Sequence, residues 1–142
     1  MTTLHAFCMK NVSELHEVLY VSTLAPGAPL QVVAQITAKA RQANEAADIT
    51  GLLIFDGMRF CQQIEGSRRE VLALTQRILQ DKRHMHIEIL RHGPLEARRF
   101  DRFALGYADM ENADVLAHME NSDPAQALAQ FIALLPNLDM SA

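Results

Sequence analysis

Tryptophan is absent from this 142-residue chain, and tyrosine occurs only at Tyr20 and Tyr107. A redox or optical role for a tyrosine therefore has few candidates. Cysteine is nearly as scarce. Cys8 and Cys61 make no C-x-x-C pair and are too few for a disulfide framework. No large basic patch accompanies the mild net charge of −4, which argues against nucleic acid as a direct ligand. The stretch MTTLHAFCMKNVSELHE has no apolar run long enough for a signal peptide or a membrane span. A soluble, cytoplasmic protein without membrane contact is expected. His84-x-His86 and Asp81 lack a third ligand at workable spacing, so no metal is expected either. No internal repeat, low-complexity tract or long linker divides the chain.

What is present suits one domain with one core, since 49% of residues are hydrophobic. Residues 1–14 read as a lead-in. Residues 15–23 read as a strand with Val18, Tyr20 and Ser22 on one face and Leu19 and Val21 on the other. Apolar residues on both faces predict a strand covered on both sides. After a turn at 25–29, residues 29–47 carry helical spacing, with Val33, Ile36, Thr37, Ala40 and Asn44 on one stripe. That stripe becomes small and polar towards its C-terminal end and leaves room for something other than a strand.

Residues 49–66 predict two strands joined by a tight turn at Asp56-Gly57. Ser67 and Glu70 form a capping box that opens a helix over 68–81. A strand over 86–90, a turn at His92-Gly93-Pro94 and a strand over 99–107 follow, the last with Phe103, Leu105 and Tyr107 on one face. Two helices close the chain, near 112–119 and 124–135. The second is amphipathic, with Leu128, Phe131, Ile132 and Leu135 along one side. Arg98, Arg99 and Arg102 read as a solvated face.

The order is βαββαββ plus two terminal helices. Right-handed crossovers put both main helices on one face of the sheet, which is a ferredoxin-like α+β layer. The other face, with Leu19, Val21, Leu53 and Phe55, is expected to be covered by the C-terminal helices. The slot between the main helices, floored by the sheet, suits a flat ligand. Gln62 lies between Phe60 and Ile64 on one face of its strand. A buried amide without partners costs about 1–3 kcal/mol, so a partner is expected there.

Six segments then fall into one pattern: Tyr20-Val21-Ser22, Asn44 with Ile49-Thr50-Gly51, Phe60 to Gly66, Asp81 to His84, and Arg98-Arg99-Phe100. The elements Y-x-S, N-x4-I-T-G, F-x-Q-x-x-E-G and D-x-R-H, in this order and spacing, resemble the BLUF family, blue-light sensors using FAD. The resemblance spans residues 15–106. It implies a flavin-binding domain over 15–109, with the helices of 110–142 packed on the sheet. It implies FAD, or FMN by the same ring contacts, held between the main helices.

In the family the glutamine of F-x-Q bridges the tyrosine hydroxyl and the flavin N5/C4=O edge. Carried over, Gln62 links Tyr20 to the flavin, and Asn44 meets the C4=O and N3 side. Arg83 and His84 meet the C2=O edge or the ribityl side, and Ser22 joins the set through Y-x-S. Tyr20 and Gln62 are the photoactive pair. Many members carry W-x-M on the last strand, where this chain has Phe103 and Leu105. Ala43 stands where some members have a second asparagine. The usual signal relay is thus altered, and Tyr20 is expected to be the sole electron donor.

The resemblance implies a stand-alone, non-enzymatic photoreceptor that signals through a protein partner or through self-association as a homo-oligomer. Two alternatives stay open on the residues alone. One is a small hydrolase of the acylphosphatase sort, against which the loop at 25–29 offers no Arg and only one Gly. The other is a ligand-free regulatory dimerisation module.

Overall fold

The structure is a computed structural model and describes residues 14–108 and 113–141. Residues 1–13 of the lead-in expected over 1–14, with Cys8 among them, and the start of the helix at Asn112 lie outside the described residues. The elements are β1 (Leu15–Leu24), α1 (Leu30–Ala46), β2 (Thr50–Phe55), β3 (Arg59–Ser67), α2 (Arg68–Gln80), β4 (His84–Leu95), β5 (Phe103–Tyr107), α3 (Ala113–Met119), α4 (Pro124–Leu134), a 3-10 turn (Leu135–Asn137) and β6 (Asp139–Ser141). They form one mixed sheet of order β4-β1-β3-β2-β5-β6. Only β2 and β5 run parallel; the other pairs are antiparallel. This is the expected ferredoxin-like α+β fold.

Local chemistry accounts for the elements. Ser67 accepts a hydrogen bond from the Glu70 amide at 3.4 Å and caps α2, while Asp123 does the same for α4 through Gln126 at 2.8 Å. α1 and α2 cover one face of the sheet. Val33 packs with Leu53, Phe55, Phe60 and Leu105, and Val71 with Val18, Ile49 and Ile64. α3 and α4 cover the other, where Leu116, Met119, Ala127, Phe131 and Leu134 meet Leu19, Val21, Leu52, Ile54 and Cys61. Among the described residues no helix is long and apolar enough to cross a membrane.

Five expectations are corrected. Leu53 and Phe55 lie under α1, not on the far face. Leu53 pairs with Gln62 and Phe55 with Phe60, and antiparallel partners share a face. The hairpin tip falls at Gly57-Met58, one residue late, because Asp56 pairs with Arg59 and its carboxylate accepts the amides of Met58 and Arg59. His92-Gly93-Pro94 is not a turn but continues β4 opposite Val18, Glu17 and His16. β4 is an edge strand, where a proline costs no ladder bond. β5 begins only at Phe103, because the amides of Arg99 and Phe100 are turned to the buried Glu65 instead of a sheet ladder. In α4 the buried stripe is Ala127, Phe131 and Leu134, while Ile132 faces out. The short β6 was not anticipated.

Gly51 of the I-T-G element has a spatial reason. A Cβ there would sit 2.0 Å from the Gln63 carbonyl oxygen, and its φ of +148° is one that L side chains rarely adopt.

Candidate functional site

Strand register builds the floor of the site. Tyr20 pairs with Gln62, Gln62 with Leu53, and Leu53 with Leu105. These four residues make one row across β1, β3, β2 and β5, on the face covered by α1 and α2. Directly opposed residues have Cβ atoms about 4.5–5.5 Å apart, so Tyr20 and Gln62 are in reach of one another or of a shared third group. Above them a cavity of about 440 Å³ opens between α1 and α2, within the usual range for a ligand site. Tyr20, Asn44, Gln62, Arg83 and His84 all line it. Of the expected binding residues, Ser22 does not.

The inner end of the cavity holds amides without partners. Asn44 is 1% exposed, and its Nδ2 makes no hydrogen bond. Its side chain is not used as a helix cap: the C-cap is Ala47, and Asp48 takes the positive φ of 56°. The Asn44 backbone carbonyl is engaged by the Ile49 amide at 2.8 Å. Gln62 is 5% exposed, and its carboxamide has no side-chain partner among the described residues. Tyr20 is buried, and that burial pushes its hydroxyl far above the ordinary phenol range, so it stays protonated. Its ring meets His84 edge-on at 6.2 Å.

The remaining residues hold one another. The Ile78 carbonyl can only accept, so His84 Nε2, 2.8 Å away, carries the proton. In the neutral ring Nδ1 then accepts from Ser22 Oγ at 2.8 Å. Ser22 thus orients His84 from behind. Arg83 grips Asp81 through Nε at 2.9 Å and Nη2 at 2.6 Å, leaving Nη1 without a partner among the described residues. The guanidinium holds the Asp81 carboxyl below the usual carboxylate range. At the exposed mouth stand Lys39 of α1 and Arg77 of α2, neither in an ion pair among the described residues. Sequence reasoning missed both. The cavity therefore carries three cations against one carboxylate, in a chain of net charge −4. Phe103 and Leu105 line no part of it; Leu105 packs with Val33, Leu53 and Phe60.

A second polar group, also missed, lies on the opposite face. Glu17, Gln63 and Glu65 are each at most 1% exposed. Gln63 Nε2 donates to Glu17 Oε1 at 3.1 Å and to Glu65 Oε1 at 2.9 Å. Glu65 also accepts from Thr50 Oγ1 and from the amides of Arg99 and Phe100, at 2.7, 2.9 and 2.9 Å. Arg99 and Arg91 both reach Glu17. Burial works to raise the Glu17 pKa, but these donors together hold it below the ordinary range. Arg98 donates to Thr50 Oγ1 and the Asp48 carbonyl. Arg99 is therefore a clamp on the buried Glu17, and Arg98 ties down Thr50 and the Asp48 carbonyl, rather than the two forming a solvated face. Among the described residues no cluster of three potential metal ligands occurs.

A ferredoxin-like sheet with a slot between its two main helices, floored by an opposed tyrosine and glutamine, defines a small α+β domain with a ligand-sized site. The family profile "BLUF: Sensors of blue-light using FAD" matches residues 15–106, and the chain belongs to that family of flavin-based blue-light sensors. The blue light- and temperature-regulated antirepressor BluF of Escherichia coli K12 is 33% identical over 114 residues, 80% of this chain and 27% of that protein. The chain thus spans about a quarter of the length of that relative. The dark-state structure of the BLUF protein BlrB superposes with a TM-score of 0.71 and 28% identity, covering 87% of this chain and 98% of that one. BlsA in its ground state gives 0.72 at 24% identity over 90% and 91%, a likeness of fold.

Proposed function

We propose that this chain is a blue-light photoreceptor in which Tyr20 and Gln62 form the switch and a non-covalent flavin fills the slot. The observation that carries the reading is the pair of buried amides at the inner end of the cavity, Asn44 with its Nδ2 unpaired and Gln62 with no side-chain partner among the described residues. A flat ring with hydrogen-bonding edges supplies what they lack. Gln62 and Asn44 would hold that ring's polar edge and Arg83 Nη1 its other edge or the ribityl side, with the His84 ring, both nitrogens already engaged, in contact as a wall, and Lys39 and Arg77 would favour a phosphate at the mouth. The family's own description favours FAD.

A bound flavin supplies the absorption of blue light and, once excited, the capacity to accept an electron. Tyr20 is the donor. Its buried hydroxyl does not ionise alone, so its proton leaves with the electron and returns with it, with no net product. The Gln62 carboxamide lies opposite and carries that proton. It comes to rest turned over or as its tautomer. One rearranged hydrogen bond in a low-dielectric site is worth about 1–3 kcal/mol, enough to bias a two-state element. Output passes to a protein partner or to self-association through the C-terminal helices, in the manner of a sensor rather than an enzyme. The hydrolase alternative has no support, because the loop at 25–29 contributes nothing to the cavity.

Purified protein is expected to be yellow, with a flavin spectrum that shifts to the red in blue light and recovers in the dark. A colourless protein that takes up no added flavin would overturn this reading. Light and dark size-exclusion runs test self-association as the output. The double substitution Lys39→Ala and Arg77→Ala is expected to weaken FMN and FAD about tenfold and leave riboflavin unchanged, the scale of two partly exposed charge contacts of ~0.5–1 kcal/mol each. Fluorescence titration of the three flavins checks it, and equal weakening of all three would contradict it.

A further inference from the structure

Side chains alternate along β3, so the two neighbours of Gln62 point through the sheet towards α3 and α4. They are held very differently. Gln63 is locked between Glu17 and Glu65, and Glu65 is fixed in turn by Thr50 and two backbone amides. Hydrogen bonds to carboxylates are roughly twice as strong as neutral ones. That end of the strand is an anchor.

Cys61 has nothing comparable. It is fully buried, and its thiol donates only to Met119 Sδ at 3.9 Å, a weak donor on a weak acceptor. Met119 is the last residue of α3. The next residue on the same face, Arg59, reaches Glu120 at 3.1 Å in a pair with side chains 27% and 42% exposed. Such partly exposed pairs contribute little. A displacement at Gln62 therefore meets a fixed end at residues 63–65 and a compliant end at residues 59–61. The compliant end carries the C-terminal end of α3.

We infer that in this chain the light signal leaves the flavin site through Cys61, which acts on Met119 and the end of α3, rather than through Leu105 on β5. The inference rests on the photoreceptor reading above. Cys61 here is a positioning residue: it touches no ligand, and its sulfur reports and transmits the setting of the strand. Leu105 is a less apt exit, since it offers no polar or sulfur atom to the Gln62 amide and sits among Val33, Leu53, Phe55 and Phe60.

The test is light-minus-dark infrared spectroscopy on the full chain loaded with FAD, with Cys61→Ala and Met119→Leu beside it. Thiol S–H stretching falls in a window free of other protein bands. The wild-type chain is expected to show an S–H difference band on illumination. The band should vanish in Cys61→Ala, which retains Cys8. It should move in Met119→Leu, where the thiol loses its sulfur acceptor. Both variants should keep the flavin red shift. Hydrogen exchange at residues 116–122 should quicken in light in the wild type and lose that response in Met119→Leu. A red-shifting wild type without an S–H band overturns the inference, as does an α3 response unchanged in Met119→Leu. A wild type with no red shift overturns the photoreceptor reading and the inference with it.

Discussion

Tyr20→Phe is expected to take up flavin and yet show no light-induced red shift. The ring fills the same buried space in either residue, and the Tyr20 hydroxyl has no hydrogen-bond partner among the described residues, so folding should be little affected. Loss of one hydrogen bond at the site bounds the change in flavin affinity at about tenfold, since such a bond is worth about 0.5–1.5 kcal/mol net. On the proposed reading, what goes is the electron donor. The chain has no tryptophan, and Phe103 stands where an indole commonly does in the family. Absorption spectra before and after blue light decide it. A full, reversible red shift in the variant would remove Tyr20 from its role and leave the geometry of the Tyr20–Leu105 row without its proposed meaning.

The largest loss of stability is expected from Glu65→Ala. This carboxylate is fully buried and accepts four hydrogen bonds, from Thr50, Gln63, Arg99 and Phe100. Its removal strands all four donors. Leaving a buried donor unsatisfied costs about 1–3 kcal/mol, so several at once weigh heavily against a domain stability of about 5–15 kcal/mol. The urea midpoint should fall steeply, with Glu65→Gln in between, because the amide keeps one acceptor oxygen. A midpoint unchanged in Glu65→Ala would mean that the clamp is ornamental. Glu17 adds a pH dependence of known sign. Its folded pKa is lowered, so its contribution is present above the ordinary glutamate range and is lost as pH falls through the lowered value.

The site was more legible in the sequence than its surroundings. Alternation put Tyr20 and Ser22 on one face of β1 and Gln62 on one face of β3. Helical spacing put Asn44 on the stripe of Val33 and Thr37. Those are local rules, and the folded chain obeys them. Leu53 and Phe55 were assigned to the wrong face although the hairpin itself dictates the right one, since they sit opposite Gln62 and Phe60.

The failures elsewhere are of a different kind. His92-Gly93-Pro94 carries every turn signal, yet an edge strand tolerates it, and only sheet order reveals that β4 is an edge. Glu17 and Glu65 look like solvated acids until β1 and β3 are paired and a segment 34 residues on from Glu65 brings the Arg99 amide to it. Lys39 and Arg77 are ordinary surface cations in sequence. They become a pair at a cavity mouth only once two helices lie side by side.

Gln62 and Gln63 are the same side chain, one peptide apart. Among the described residues the first has no side-chain partner to hold it. A half-turn of the second would aim its oxygen at two carboxylates that its nitrogen now satisfies. Which amide can serve as a movable part is therefore set by the pleat and not by chemistry. Inserting a single residue early in β3 would exchange the two roles, turning Gln63 towards the ligand side and Gln62 towards Glu17. The sheet acts as a partition, and the count of residues along one strand decides which compartment each glutamine serves.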